Sequence, residues 1–226
     1  MKVQIATERH HDWHSSRGTS VLETLAVVAV ATILTAVTLP QIISARRLMR
    51  SAALPREVVT QLRFARQQAM SQRQAFTFQY DDATKQIKII NHRNNNPGTG
   101  CNVSGMAVMA DGSYPNTACS ITALQVPLAG GSSLPSSELS FGVPTGISST
   151  TLGDNTTPTA LSSNKLNITF QPDGTVIDSN GNPANRTMFL YNNKASRETA
   201  AAISVLGAAG RIKVWRYDTS ANRYAE

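Results

Sequence analysis

The chain has 226 residues, of which 21 are basic and 14 acidic, and its formal net charge is +7 at pH 7. A basic balance is compatible with anionic partners such as nucleic acid or lipid headgroups, and it also serves solubility alone. Two cysteines cannot by themselves close a structural zinc site, which needs four ligands.

The first feature along the chain is a polar leader followed by an apolar run. In residues 24–45 no side chain carries a formal charge. About 20 apolar residues, each rising 1.5 Å, are enough to cross a bilayer as one helix. A secretory signal peptide would have a shorter apolar core with its cleavage site behind it. Cleavage is therefore expected before the run, which would stay in the mature protein.

Glu23 lies at the start of this apolar run. A carboxylate near hydrocarbon costs a few kcal/mol on insertion scales, so it predicts a functional partner. The alternative is a place at the water interface, where an acidic residue in the first turn favours the helix dipole. The local residues leave both interpretations open.

Gly18, Thr19, Glu23 and Pro40 stand at fixed offsets around the run. This pattern resembles the class III signal of type IV pilins and type II secretion pseudopilins. The resemblance implies that a prepilin peptidase cuts after Gly18 and methylates the new N-terminus at Thr19. It also implies that Glu23 neutralises the N-terminal amine of a neighbouring subunit during filament assembly. Two features depart from the family: Thr19 replaces the usual Phe, and the leader of residues 1–18 is longer than most.

A helical pattern continues beyond Pro55. Its apolar residues recur at spacings of four, three and four, which places them on one helix face: Val58, Leu62, Ala65 and Ala69. Proline in a membrane-proximal helix is tolerated as a kink, here at Pro40. Residues 19–74 are therefore predicted to form one helix, membrane-spanning over about residues 19–45 and amphipathic beyond.

From residue 75 the apolar period changes to two, which indicates β-strands. The predicted strands are residues 76–80, 86–90, 107–109, 122–126, 139–141, 166–170, 175–177, 188–191, 203–206 and 212–217. Turns are predicted at Asp81 and Asp82 and at Pro172-Asp-Gly. The expected fold class is α+β and pilin-like, with an antiparallel β domain over residues 75–226.

Two polar segments, residues 91–100 and 148–164, are predicted to be surface loops. Cys101 and Cys119 would lie outside the cytoplasm, where an even pair is expected to form a disulfide. That bond would close a loop of about 19 residues and contribute about 3 kcal/mol.

Histidines offer little to a metal site or an enzyme. Three of the four lie in the leader and would be removed with it: His10, His11 and His14. His92 alone remains in the mature chain, and catalysis by a nucleophile needs a base within hydrogen-bond reach. We therefore expect no metal, no cofactor and no enzymatic activity.

The C-terminal region extends the resemblance. Phe170-Gln-Pro-Asp-Gly-Thr175 and Gly210-Arg211-Ile212-Lys213-Val214 are similar to the GspH and FimT branch of minor pseudopilins and pilins. In the last strand, alternation predicts Arg211, Lys213 and Trp215 on one face and Arg216 on the other.

Cations beside an aromatic ring suit DNA binding through phosphate neutralisation and stacking. Some FimT-like pilins take part in DNA uptake and carry a similar basic motif, so Arg211, Lys213 and Arg216 are candidate DNA-binding residues. The alternative is a solvated sheet face that charge protects against edge pairing.

The resemblance implies a minor pseudopilin or minor pilin, assembled at or near the tip of a type II secretion pseudopilus or a type IV pilus. The implied partners are other pilins, the prepilin peptidase, the inner-membrane assembly platform and inner-membrane lipid. Alternatives are a DNA-binding minor pilin acting in DNA uptake and a signal-anchored periplasmic domain without a filament role.

The implied location is the bacterial inner membrane, with the N-terminus cytoplasmic and the β domain periplasmic before filament assembly. Charge does not orient the span, because three arginines flank its far side: Arg46, Arg47 and Arg50.

Overall fold

The computed structural model describes residues 20–92, 121–130, 134–147, 150–178 and 182–226. Within these residues one α-helix precedes nine β-strands. Helix α1 spans Val21–Gln72, so the long helix predicted from the sequence is present. Several predicted sites lie outside the described residues: the cleavage pair Gly18 and Thr19, the cysteines Cys101 and Cys119, and the strand at 107–109.

Two compact units share α1, because the division falls inside the helix. One unit is Met1–Ser44 and the other is Ala45–Glu226. Helix α1 continues through both Pro40 and Pro55. The kink at Pro40 and the leader boundary at residue 18 stay predictions.

The strands belong to two sheets. They are β1 Phe76–Asp81, β2 Gln86–Asn91, β3 Ile121–Pro127, β4 Leu139–Phe141, β5 Lys165–Phe170, β6 Arg186–Asn192, β7 Ala201–Leu206, β8 Arg211–Asp218 and β9 Arg223–Ala225. The first sheet has the order β3-β2-β1-β5 and the second has β4-β6-β7-β8-β9. All neighbouring strands are antiparallel, which confirms the predicted α+β class.

Local side-chain chemistry explains the first hairpin. Asp81 Oδ1 accepts hydrogen bonds from the backbone N–H groups of Ala83, at 3.0 Å, and Thr84, at 3.3 Å. Such bonds replace backbone pairing and reverse the chain. Lys85 adopts a positive φ of 53° before β2 begins. The turn predicted at the two aspartates is confirmed.

The main core forms where the second half of α1 packs against both sheets. The four residues of the predicted helix face are all fully buried: Val58, Leu62, Ala65 and Ala69. They form one buried cluster with inward side chains of both sheets. The first sheet contributes residues such as Phe78 and Ile89, and the second contributes residues such as Met188 and Ile203. The 3.6-residue period therefore identified the core face correctly.

A smaller apolar cluster covers the opposite face of the second sheet. It contains Phe189, Ala202, Trp215 and Tyr217, together with Leu152 from the loop between β4 and β5. This loop was predicted as exposed, but Leu152 is buried beside the sheet. Composition alone does not distinguish a polar segment that contains such a buried apolar residue from a fully exposed loop.

Two further differences concern strands. Residues 175–177 form only isolated bridges, between Phe170 and Val176 and between Ile177 and Pro183, so the predicted strand is wrong. The backbone N–H of Val176 instead donates to Gly207 O at 2.8 Å, and the segment has no continuous ladder with one partner. Strand β9 was not predicted, and it pairs with β8 after a turn in which Asp218 Oδ1 accepts from Ser220 N at 2.8 Å.

Leu62→Ala should lower the free energy of unfolding by about 2–5 kcal/mol, because it removes a fully buried side chain from the junction of helix and sheets. The neighbouring exposed residue Arg63 supplies the control. Arg63→Ala should change the free energy of unfolding by less than about 0.5 kcal/mol. Urea unfolding of the full chain in detergent measures both. Equal effects of the two changes would contradict the proposed core.

Candidate functional site

The start of α1 is capped by Ser20, and Glu23 lies in the first turn. Ser20 Oγ accepts from the backbone N–H of Leu22 at 3.3 Å, and its carbonyl accepts from Glu23 N at 2.9 Å. Ser-x-x-Glu at a helix start is the capping-box pattern, in which the Glu side chain also bonds back to the cap. Within the described residues the Glu23 carboxylate makes no such bond and no ion pair.

The first half of α1 exposes its apolar surface. Every described side chain from residue 20 to 44 is exposed, including Leu22 and Leu25. Among the described helices, α1 is long and apolar enough to cross a membrane, by length and composition. Among the described residues this surface has no apolar partner, and lipid or other molecules would bury it favourably.

The polar groups inside this half are satisfied by the helix itself. Threonine hydroxyls donate to carbonyl oxygens one turn earlier: Thr32 to Val28 O at 2.6 Å, Thr35 to Ala31 O at 2.8 Å and Thr38 to Leu34 O at 2.9 Å. A hydroxyl paired in this way can enter a hydrocarbon environment without leaving an unmatched donor. Among residues 20–44, Glu23 is the one with a formal charge, and it has no ion pair within the described part of the chain.

In the outer domain, Arg66 of α1 joins the two C-terminal motifs. Its Nε donates to Gly174 O at 3.3 Å and its Nη2 donates to Ala209 O at 2.9 Å. A Cβ on Gly210, where φ is +56°, would overlap the Gly174 carbonyl oxygen. The Pro-Asp-Gly turn and the glycine before β8 therefore meet on the helix. The sequence quoted both motifs but gave no signal that Arg66 connects them.

The basic strand β8 has the predicted alternation but a different aromatic environment. Trp215 is only 6% exposed, and its Nε1 donates to Ser204 Oγ at 2.9 Å. A Cβ on Gly153 would lie 3.1 Å from the indole, so the loop before β5 closely covers the ring. Trp215 is therefore not free to stack on a nucleobase, and that part of the DNA hypothesis is wrong.

An aspartate holds this loop in place. Ser204 Oγ donates to Asp154 Oδ2 at 2.5 Å, and Thr156 Oγ1 donates to Asp154 Oδ1 at 2.6 Å. Burial acts to raise the pKa of Asp154, but the hydrogen bonds from Ser204 and Thr156 outweigh it and leave the pKa below its ordinary value. The carboxylate therefore stays charged and keeps the loop on the sheet.

The three predicted cations have separate surroundings. Lys213 Nζ lies 2.7 Å from Glu226 Oε2 and 5.0 Å from the centroid of the Trp215 ring. Arg211 is exposed at the start of β8, and Arg216 lies on the other strand face. Arg216 lines two open grooves of about 360 and 440 Å³, the second together with Arg56. Their DNA-binding role stays a prediction without a shared cationic face.

His92 is buried beside two threonine hydroxyls. Its Nε2 lies 2.6 Å from Thr77 Oγ1, which in turn lies 2.6 Å from Thr169 Oγ1. Burial lowers the pKa of His92 to about 4, so the ring is neutral near pH 7. A hydroxyl within reach of an imidazole is a nucleophile–base geometry. Both groups, however, are at most 8% exposed, so a substrate cannot reach them without rearrangement. Within the described residues no group of three potential metal ligands comes together.

Comparison with known proteins gives a family match over most of the outer domain. Residues 56–207 match the family model described as type II transport protein GspH, which is about two thirds of the chain. The match covers about the last third of α1 and strands β1 to β7. It does not include Glu23 or the basic strand β8. No curated protein gives a significant match to the sequence.

Among solved structures, the chain is similar to the type IV minor pilin FimU of Pseudomonas aeruginosa strain PAO1 in two crystal forms. In the first, sequence identity is 17%, the TM-score is 0.40, and the alignment covers 77% of this chain and 91% of FimU. In the second, identity is 18%, the TM-score is 0.39, and the coverage is 77% and 96%.

The neutral burial of His92 predicts a loss of stability in acid. Unfolded His92 binds a proton below its ordinary pKa of 6.5, whereas the folded ring does so only near pH 4. The free energy of unfolding should therefore fall between about pH 6.5 and 4, by up to about 3 kcal/mol from this group. Urea unfolding of the full chain in detergent at pH 6.5 and 4.5 measures this loss. A His92→Gln variant should lose less over the same interval, and an equal loss would show that His92 is not its source.

Proposed function

The chain belongs to the GspH family of type II transport proteins, and on that premise we propose that it is a minor pseudopilin or minor pilin at or near the tip of a short filament. The observation that carries the proposal is the division of α1. Its second half is the core of the outer domain, and its first half offers an uncovered apolar surface that begins with an unpaired carboxylate.

Glu23 is proposed to pair with the N-terminal amine of Thr19 on a neighbouring subunit. An uncompensated charge in a low-dielectric environment is costly, and an opposite charge at contact distance removes much of that cost. The carboxylate has no partner within the described part of its own chain, which leaves it available to another subunit. Cleavage after Gly18 would create the amine, so the proposed pairing requires that processing comes before assembly.

The proposed route begins in the inner membrane, with the N-terminus in the cytoplasm and the outer domain in the periplasm. Prepilin peptidase removes residues 1–18 and methylates Thr19. The assembly platform then moves the subunit from lipid into a filament, where other pilins replace lipid around the first half of α1. The action is mechanical, and no catalytic group of this chain is required.

Processing should be visible as a defined loss of mass. Coexpression with a prepilin peptidase should remove residues 1–18 and add a methyl group at Thr19, because Gly18 and Glu23 stand at the positions that the enzyme requires in this family. Intact-protein mass spectrometry, with a peptidase-free culture as control, measures both changes. An unprocessed chain in both cultures would contradict the proposed processing and favour the alternative of a signal-anchored domain without a filament role.

Glu23→Gln should reduce incorporation into filaments by at least about tenfold while membrane insertion is retained, because it removes the charge and keeps the side-chain shape. Thr24→Ala is the matched control, since the Thr24 hydroxyl bonds only within the helix, to Val21 O at 2.9 Å. Immunoblots of sheared filaments and of washed membranes measure the two quantities. Normal incorporation of the Gln variant would refute the pairing.

A further inference from the structure

Two exposed arginines follow the apolar run directly on α1. Arg46 is the first residue after the run, and Arg50 is one turn further along. At 1.5 Å per residue they lie about 1.5 and 7.5 Å along the axis beyond the run's last residue. This inference rests on the proposal above that the apolar run occupies the bilayer. In that position both guanidinium groups lie at the depth of the lipid headgroups.

Neither arginine has a partner in the part of the chain that the structure describes. Within the described residues, Arg46 and Arg50 make no side-chain hydrogen bond and no ion pair. Arg47, between them, differs, because its Nε lies 3.1 Å from Glu138 Oε2. That oxygen also accepts from Asn192 Nδ2 at 3.1 Å, so it is already committed to two donors.

The other described carboxylates form no ion pair with these arginines. The next one along α1 is Glu57, seven residues beyond Arg50, and its Oε1 accepts from Gln61 Nε2 at 2.8 Å. Glu198 lines the groove beside Leu48 but forms no ion pair with either arginine. The helical turn after the apolar run is therefore cationic, and no described carboxylate of the outer domain pairs with Arg46 or Arg50.

The spacing of Arg46 and Arg50 suits a phosphate. Residues four apart share one helix face with Cβ atoms about 5–6 Å apart, where two like charges repel each other. An anion between them reverses that repulsion, and a guanidinium presents a fork of donors that matches phosphate oxygens.

We propose that Arg46 and Arg50 bind the phosphate of an anionic phospholipid headgroup, on the side of the bilayer opposite Glu23. Each basic residue near an anionic surface strengthens binding about fivefold, so the pair should contribute on the order of tenfold or more. The contact must break when the subunit leaves the membrane. Release into a filament would therefore depend on the anionic lipid content around the chain.

Native mass spectrometry of the full chain in nonionic detergent tests the site. The protein is titrated with phosphatidylglycerol or with phosphatidylcholine of the same acyl chains, and bound lipid is counted. We expect about tenfold tighter binding of phosphatidylglycerol. In Arg46→Gln/Arg50→Gln this preference should fall to near one. It should be kept in Arg63→Gln/Arg73→Gln, a pair of exposed arginines of which the first lies further along α1 and the second directly follows its last residue. The leader charges are the same in all three proteins.

Three outcomes would overturn the inference. They are an equal affinity of the parent protein for both lipids, an unchanged preference in the first double variant, and displacement of bound phosphatidylglycerol by millimolar inorganic phosphate, which would indicate a site for free phosphate. Retention of the parent protein in carbonate-washed membranes is measured in parallel. Loss of retention would count against the proposed membrane anchoring, whereas retention without lipid preference would count against this inference alone.

Discussion

The two halves of helix α1 require different environments, the protein core for one and an apolar environment outside the domain for the other. The second half of α1 gives its apolar face to the core of its own domain, where Val58 and Leu62 are fully buried. The first half buries nothing within the described chain, and its threonine hydroxyls are already paired inside the helix. Apolar surface of this extent is unfavourable in water, so this half requires lipid or other helices. The proposed membrane anchoring and filament assembly depend on that requirement.

The outer domain is organised around the same helix. Both sheets contribute to the core that surrounds its second half, and Arg66 bonds the carbonyl groups of Gly174 and Ala209 at 3.3 and 2.9 Å. The two C-terminal motifs thereby stabilise the position of the helix relative to the strands. Arg66 and Gly174 lie within the residues matched by the GspH family, whereas Ala209 lies just beyond the end of the match. The charged residues proposed to bind other molecules lie before the matched region. They are Glu23 and two arginines after the apolar run, Arg46 and Arg50.

Much of the fold was predictable because periodicity reports which side of an element is buried. The spacing of Val58 and Leu62 identified the core face, and alternation in β8 identified its two faces. Periodicity cannot report what covers a face. Trp215 is buried because a loop anchored by Leu152 and Asp154 lies over it, and that contact joins residues distant in sequence. At the N-terminus the sequence predicted a role for Glu23, and the structure adds that, within the described residues, its carboxylate makes no bond back to the helix cap.

The central claim is that the two halves of α1 have different surroundings in the membrane-bound protein. A carbene reagent that partitions into the bilayer tests it most directly, because it labels side chains that contact lipid. After photolysis of the full chain in lipid vesicles, peptide mass spectrometry locates the label. We expect labelling concentrated in residues 24–45 and none on the buried face containing Leu62. Equal labelling of both halves, or an unlabelled first half, would contradict the division on which the proposed function depends.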